Sequence, residues 1–148
     1  MIRENSAGGI VFRKDGKQVF ILMIRDHNDK YTFPKGLIEK GEKTDKTALR
    51  EVEEETGVKA ELIEKLDDLK FFFVRDGEKV LKTVSFYLMK TQQKELTPQF
   101  EVKSAEWIAL EEAIETATKK GYKNQEALIE KAIEKIHKII SKKTLKDF

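Results

Sequence analysis

The sequence predicts a layered sandwich of strands and helices, of the α/β or α+β class. Three observations carry that reading. The chain holds paired runs rich in β-branched and aromatic residues, each pair joined by a tight-turn signal. It also holds a helix-forming segment that ends on a glycine. Towards the C-terminus, apolar residues recur with helical spacing. Strands accompanied by amphipathic helices bury both apolar surfaces by packing one on the other.

Gly8–Phe12 and Val19–Ile24 read as the first two strands, and Asp15-Gly16 between them signals a hairpin. Thr44 to Thr56 uses good helix formers, with Thr44 or Asp45 as the N-cap and Gly57 just past the end. A second hairpin turns at Asp76-Gly77 and joins Lys70–Arg75 to Val80–Lys90. Within it, the run Phe71-Phe72-Phe73-Val74 suggests a strand covered on both faces, or one with a face lining a pocket. A short helix is expected over Leu110–Thr118. A longer one, capped by Asn124, is expected to reach Ser141, with Leu128, Ala132, Ile136 and Ile140 on its inner stripe and Ile129, Ile133 and Ile139 beside them.

At 148 residues the chain suits one domain spanning 1–148, since domains cluster at ~100–150 residues. The absence of cysteine excludes a disulfide scaffold, a thiolate metal site and a cysteine nucleophile. Two histidines, His27 and His137, argue against a multi-histidine metal centre. No apolar run approaches the ~20 residues that cross a bilayer, so no membrane association and a cytoplasmic location are expected. Net charge is +2, but residues 119–148 hold nine lysines against four acids. Because the acids are interspersed, a solvated helix face is favoured over a nucleic-acid surface.

The informative segment runs from Gly36 to Val58. On the helical wheel Glu51, Glu54 and Glu55 fall within one ~100° sector, while Leu49, Val52 and Thr56 face elsewhere, towards a core. Like charges at i,i+3 and i,i+4 disfavour a helix by ~0.2–0.5 kcal/mol per pair, and the C-terminal half of a helix disfavours anions further. Something must compensate. Arg50 can do part of it, and a hard divalent cation with oxygen ligands can do the rest. A glutamate-rich solvent face is the plainer alternative. The loop before the helix adds Gly36, whose missing side chain lets a backbone carbonyl approach an ion, and Glu42, which can reach back to Arg50 or to a second ion.

Gly36, Glu42, Arg50, Glu51, Val52, Glu54, Glu55, Gly57 and Val58 fit every specified position of G-x5-E-x7-R-E-U-x-E-E-x-G-U, where U is aliphatic. The segment resembles the Nudix box, residues 36–58. Flanking stretches are similar to that family as well: Ser6-Ala7-Gly8-Gly9-Ile10 before it, Phe33-Pro34-Lys35-Gly36 leading into it, and Glu101–Trp107 after it. The resemblance implies a Nudix fold, an α/β/α sandwich with a mixed β-sheet between helices. It implies hydrolysis of a nucleoside diphosphate linked to another group, with Mg²⁺ as cofactor and Mn²⁺ able to substitute. Carried over by position, Glu51, Glu54 and Glu55 resemble the family's metal-binding glutamates and Gly36 its carbonyl ligand. Arg50 resembles the residue that orients a box glutamate, and Glu42 an auxiliary metal or salt-bridge group. Glu101 sits where related members carry an extra metal-binding or base glutamate. The general base is one of Glu54, Glu51 and Glu101, since neither histidine is in the box.

The box does not set the substrate. Phe33–Gly36, Ile38–Glu42, Lys82–Leu88 and Glu101–Trp107 resemble the asymmetric diadenosine tetraphosphate hydrolases, which release ATP and AMP. Under that resemblance Lys82 and Lys35 hold phosphates, and Phe72, Phe73, Phe86 or Tyr87 stacks on adenine. Related branches act on ADP-ribose, oxidised nucleotides, inositol pyrophosphates or RNA 5′-pyrophosphate, and a nucleotide-sensing module without catalysis is a further alternative. The expected partner is a small nucleotide, and a monomer is expected.

Overall fold

The computed structural model describes residues 1–99 and 101–142. Phe100 and the last lysines of the basic tail, Lys143 and Lys146, lie outside the described residues. The chain forms strands β1 (Ile2–Asp15), β2 (Gln18–Arg25), β3 (Tyr31–Thr32) and β4 (Lys35–Leu37), then helix α1 (Thr44–Thr56). Strands β5 (Glu61–Arg75), β6 (Glu78–Lys90) and β7 (Ser104–Ala109) follow, then helix α2 (Leu110–Lys119), a 3-10 turn (Lys123–Gln125) and helix α3 (Glu126–Lys142).

One mixed sheet runs in the order β3-β2-β1-β6-β5, with β4 on β1 and β7 on β2. The parallel pair is β1 with β6, in register from Ile2↔Val80 to Phe12↔Lys90. This long pairing fills one edge of β1. On its other edge β1 meets β2 only near the hairpin, from Phe12↔Ile21 to Asp15↔Gln18. Beyond that point the two strands diverge. The gap is filled by β4, which pairs Ser6–Gly8 of β1, and β3, which pairs Ile24 and Arg25 of β2. The segment Phe33–Gly36 is therefore wedged into the middle of the sheet.

Side chains alternate between the two faces. Ile10, Phe12, Ile21, Met23, Val84, Phe86 and Leu88 pack under α2 and α3. Ala7, Val11, Leu22 and Met89 pack under α1 with Ala48 and Val52. Helices thus cover both faces of a mixed sheet, the α/β/α sandwich expected from the sequence. No helix among the described residues is long and apolar enough to cross a membrane.

Both hairpins form. At the second, Asp76 and Gly77 adopt φ of 52° and 80°, as a type I′ turn requires. Gly57 ends α1 in the left-handed region with φ of 80°. Other expectations need correction. The N-cap of α1 is Lys43, with no side-chain cap, because Thr44 and Asp45 already lie inside the helix. Asn124 sits within the 3-10 turn, so α3 starts later, at Glu126. Strand β5 begins nine residues before Lys70, strands β3 and β4 carry too few residues to show a period, and β7 is half-buried along its whole length with no alternation. Of the two readings of the Phe71–Val74 run, the pocket-lining one holds: Phe71 and Phe73 line a cleft, while Phe72 and Val74 are 71% and 67% exposed. In α3, Lys131, Lys135 and Lys138 pair with Asp67, Glu64 and Glu134, so the basic face is solvated and ion-paired.

Candidate active site

Helix α1 is held rigidly on the sheet. Val52 and Thr56 are fully buried. A Cβ on Gly9 would come within 2.9 Å of Val52 Cγ2 and 2.7 Å of Met89 Sδ, so only glycine lets the helix sit this close. This packing fixes the opposite side of α1, where Arg50, Glu51, Glu54 and Glu55 line an open acidic hollow together with Gln99 and Glu101. The irregular segment after β6 is tied to the helix end, since Thr97 N–H donates to Thr56 O (2.8 Å) and Gln99 N–H to Glu55 O (3.2 Å). That tether brings Glu101, distant in sequence, beside Glu55.

Arg50 is the hub. Its Nε and Nη2 donate to the two oxygens of Glu42 at 2.7 and 2.9 Å. Its Nη1 donates to Glu51 (2.8 Å) and Glu54 (3.1 Å), and Nη2 also reaches Leu37 O (3.2 Å). Glu42 further accepts from Thr47 Oγ1 (2.6 Å) and Glu39 N–H (3.1 Å). Arg50, with Thr47 assisting, lowers the Glu42 carboxyl to about 2. With its oxygens bonded to these donors, Glu42 takes the salt-bridge role, one of the two expected of it.

Glu51 lies folded against Gly36: a Cβ at that glycine would overlap its carboxylate at 2.1–2.4 Å. Burial raises its pKa, against the pull of Arg50. Glu54 is the exposed member, 57% exposed and bonded to Arg50. Glu55 accepts from the Lys35 backbone N–H at 2.7 Å. Its carboxyl is pushed up to about 7, first by burial, with Glu51 and Glu101 adding repulsion that the Lys35 amide only partly offsets. Gly36→Ala is expected to displace Glu51 and lower turnover by ~10-fold or more, with little change in unfolding midpoint, since the clash falls on the end of a flexible side chain. An unfolding midpoint that falls in step with turnover would contradict this.

The sign of the Glu55 effect is checkable. Its folded pKa lies above the ordinary 4.5. Between those values the folded protein keeps a proton that the unfolded chain releases, so stability falls as pH rises through that window. Glu55→Gln keeps an acceptor for the Lys35 amide and removes the burdened charge. It is expected to be more stable than the parent by ~1–3 kcal/mol near pH 8 without divalent cations, and no more stable near pH 5. Urea unfolding at the two pH values measures this; an unchanged pH slope in the variant would refute it.

The donor set fits a hard cation. Mg²⁺ is usually held by one or two carboxylates with waters and substrate phosphates, not by an all-protein cage. Among the described residues no three acidic side chains converge into a closed cage. They form instead an open bed in which Glu55 is poorly neutralised. Glu51, Glu54, Glu55 and Glu101 are brought together as the sequence suggested.

Glu55 and Glu101 also belong to a neighbouring cleft of about 800 Å³. Its walls include Lys35, Lys82, Phe71, Phe73 and Phe86. Burial, and then Lys35, lowers the pKa of the half-buried Lys82. Phe86 forms the floor, buried and edge-on to Phe33 with ring centroids 6.0 Å apart. Phe73 is covered by the Arg75 guanidinium at 5.3 Å.

The NUDIX domain profile matches residues 2–131. The chain belongs to the NUDIX family. It is 34% identical to MutT4 of Mycobacterium tuberculosis over 95% of this chain and 58% of that protein, so it spans little more than half of that relative. It is 30% identical to the asymmetrical bis(5′-nucleosyl)-tetraphosphatase of Rattus norvegicus, over 76% of this chain and 83% of that one. Among solved structures, the NUDIX domain of Shewanella oneidensis NrtR, complexed with ADP-ribose, superposes with a TM-score of 0.75 at 19% identity, covering 92% of this chain and 90% of that one. An Ap4A hydrolase binary complex from C. elegans gives 0.68 at 21% identity, covering 90% and 98%. These two establish the fold.

Two expected stacking residues lie elsewhere in this Nudix domain. Phe72 points from the other face of β5, and Tyr87 packs under α1 with the second core. Both follow from strand alternation once Phe71, Phe73 and Phe86 face the cleft. Sequence reading missed Phe71, which pairs with Lys82 across β5 and β6. The period-2 pattern makes it a partner of Phe73, but only the register shows that it faces Lys82. It also missed Tyr122 and Gln125, which reach the cleft from the opposite helical layer; no local signal marks them.

Proposed function

We propose that this domain hydrolyses a pyrophosphate bond in a nucleoside diphosphate linked to a second group, with Mg²⁺, and that its substrate is diadenosine tetraphosphate, cleaved to ATP and AMP. The observation that carries the reading is the continuity of the acidic hollow with an aromatic, lysine-lined cleft, joined at Glu55 and Glu101. Glu51, Glu54, Glu55, Glu101 and the Gly36 carbonyl would hold the cation. Bound there, Mg²⁺ supplies charge neutralisation of phosphate oxygens and a lowered pKa for water.

The chain's own groups do the rest. Lys35 and Lys82 grip the phosphate chain as point charges. Pinned between Arg50 and Gly36, Glu51 acts as a fixed ligand. Glu54, exposed and lightly held, takes the proton from water as its oxygen bonds to phosphorus. The bridging P–O bond breaks, and the departing phosphate carries away the electron pair. Phe71 and Phe73 offer ring surface to a base, and aromatic stacking on a base is worth ~1–3 kcal/mol.

A panel of dinucleoside polyphosphates, ADP-ribose, oxidised deoxynucleotides, inositol pyrophosphates and 5′-pyrophosphorylated RNA, with products resolved, tests the substrate. ATP plus AMP from diadenosine tetraphosphate as the fastest reaction is expected; a faster member of another class replaces that substrate. Phe71→Ala and Phe73→Ala should raise KM for the adenine dinucleotide ~5–100-fold, while Phe72→Ala and Tyr87→Ala leave it unchanged. Equal effects from all four would remove the stacking role.

A further inference from the structure

Gln125 is buried at 3% exposure on the wall of the cleft, yet every polar atom of its side chain is engaged. Its Oε1 accepts from Thr32 Oγ1 at 2.6 Å. Its Nε2 donates to Tyr31 O (3.1 Å) and Ala117 O (3.0 Å). One side chain thus ties the end of α2 and the 3-10 turn to strand β3. The grip is close-fitted: a Cβ on Gly121 would sit 2.4 Å from both Tyr31 O and Ala117 O and 2.7 Å from Gln125 Nε2. Tyr31 N–H adds a bond to Lys120 O at 2.9 Å.

What β3 carries makes this more than a structural tie. Three residues after Thr32 comes Lys35, whose backbone N–H bonds the Glu55 carboxylate. Little slack lies between them. Phe33 is fully buried against Phe86, and Pro34 O accepts from Gly9 N–H at 3.1 Å. A shift of β3 is therefore passed on to the Lys35 amide and to the carboxylate it holds. A buried amide with all partners satisfied is stiff, and losing it removes the acceptor of Thr32 Oγ1 and one donor from each of two carbonyls.

We infer that Gln125 is a positioning residue: from the helical layer opposite α1, it sets the placement of Glu55 through Thr32 and the Lys35 amide. This rests on the proposed hydrolytic reading for its effect on rate, but not for its effect on the amide.

The test compares Gln125→Leu with Gly121→Ala, which wedges the same joint while leaving the glutamine in place, and with Thr32→Val, which deletes a single bond. Two readouts are taken well below each unfolding midpoint. The first is the ¹H shift and hydrogen exchange of the Lys35 amide by NMR, without metal or substrate. Faster exchange and an upfield shift in all three variants are expected, with kcat falling about tenfold in the first two. The second is Mg²⁺ affinity, alone and combined with Glu55→Gln; in that background Gln125→Leu should weaken it no further. Should Gln125→Leu fail to fold, Thr32→Val and Gly121→Ala decide the matter. A lowered unfolding midpoint with an unmoved Lys35 amide would overturn the inference. If the parent hydrolyses no substrate, the proposed function fails while the amide readout still decides the role of Gln125.

Discussion

Glu54→Gln is expected to cut Mg²⁺-dependent hydrolysis by ~10²–10⁴-fold, the usual worth of a positioned proton acceptor. The fold should be untouched. Glu54 is largely exposed and bonds to Arg50, which keeps Glu42 and Glu51 as partners. Glutamine retains shape and an acceptor for Arg50 but cannot take a proton. Steady-state rates across Mg²⁺ concentrations separate the causes, because a lost base lowers kcat at saturating metal whereas a lost ligand is rescued by more of it. Unchanged kcat at every Mg²⁺ concentration would remove Glu54 from the chemistry.

Arg50 should show the second large effect, on stability as well as rate. Exposed ion pairs contribute ~0–1 kcal/mol, and breaking a buried one costs ~3–5 kcal/mol. Arg50 lies between these limits, at 25% exposure, with Glu42 at 17% and Glu51 at 14%. Arg50→Ala is therefore expected to cost ~2–3 kcal/mol and to lower kcat ~10–10²-fold by letting Glu51 drift. Arg50→Lys should recover little, since an ammonium cannot fork across the two Glu42 oxygens. Denaturant unfolding and kcat, measured together, check this. A loss confined to stability would make Arg50 a brace with no part in aligning the site.

Much of the site was legible because it is local. The Glu51, Glu54 and Glu55 face needs only the helical period, and Gly57 announces where that helix stops. The two hairpins were equally plain, since Gly16, Asp76 and Gly77 adopt positive φ and mark the turns themselves. The illegible parts depend on long-range pairing. Which phenylalanines face the cleft is decided by the register of β5 on β6, and that strand carries bulges at Leu62/Glu64 and Lys65/Asp67. A single-residue slip reverses every side chain, so no local pattern could separate Phe71 from Phe72. Strands β3 and β4 are two and three residues long and exist because β1 and β2 splay apart. Glu42 reads in sequence as a partner of Arg50 or of a second ion, and only the fold adds Thr47 and the Glu39 amide to Arg50 as its donors.

The acidic face of α1 as the cation site is most directly tested by calorimetric titration of Mg²⁺, with a non-hydrolysable dinucleotide present, into the parent and into the combined Glu51→Gln, Glu54→Gln, Glu55→Gln variant. The parent should bind the ion and release a fraction of a proton near pH 7, as Glu55 gives up the one it holds, while the folded variant binds none. Equal affinity in both proteins would contradict the assignment.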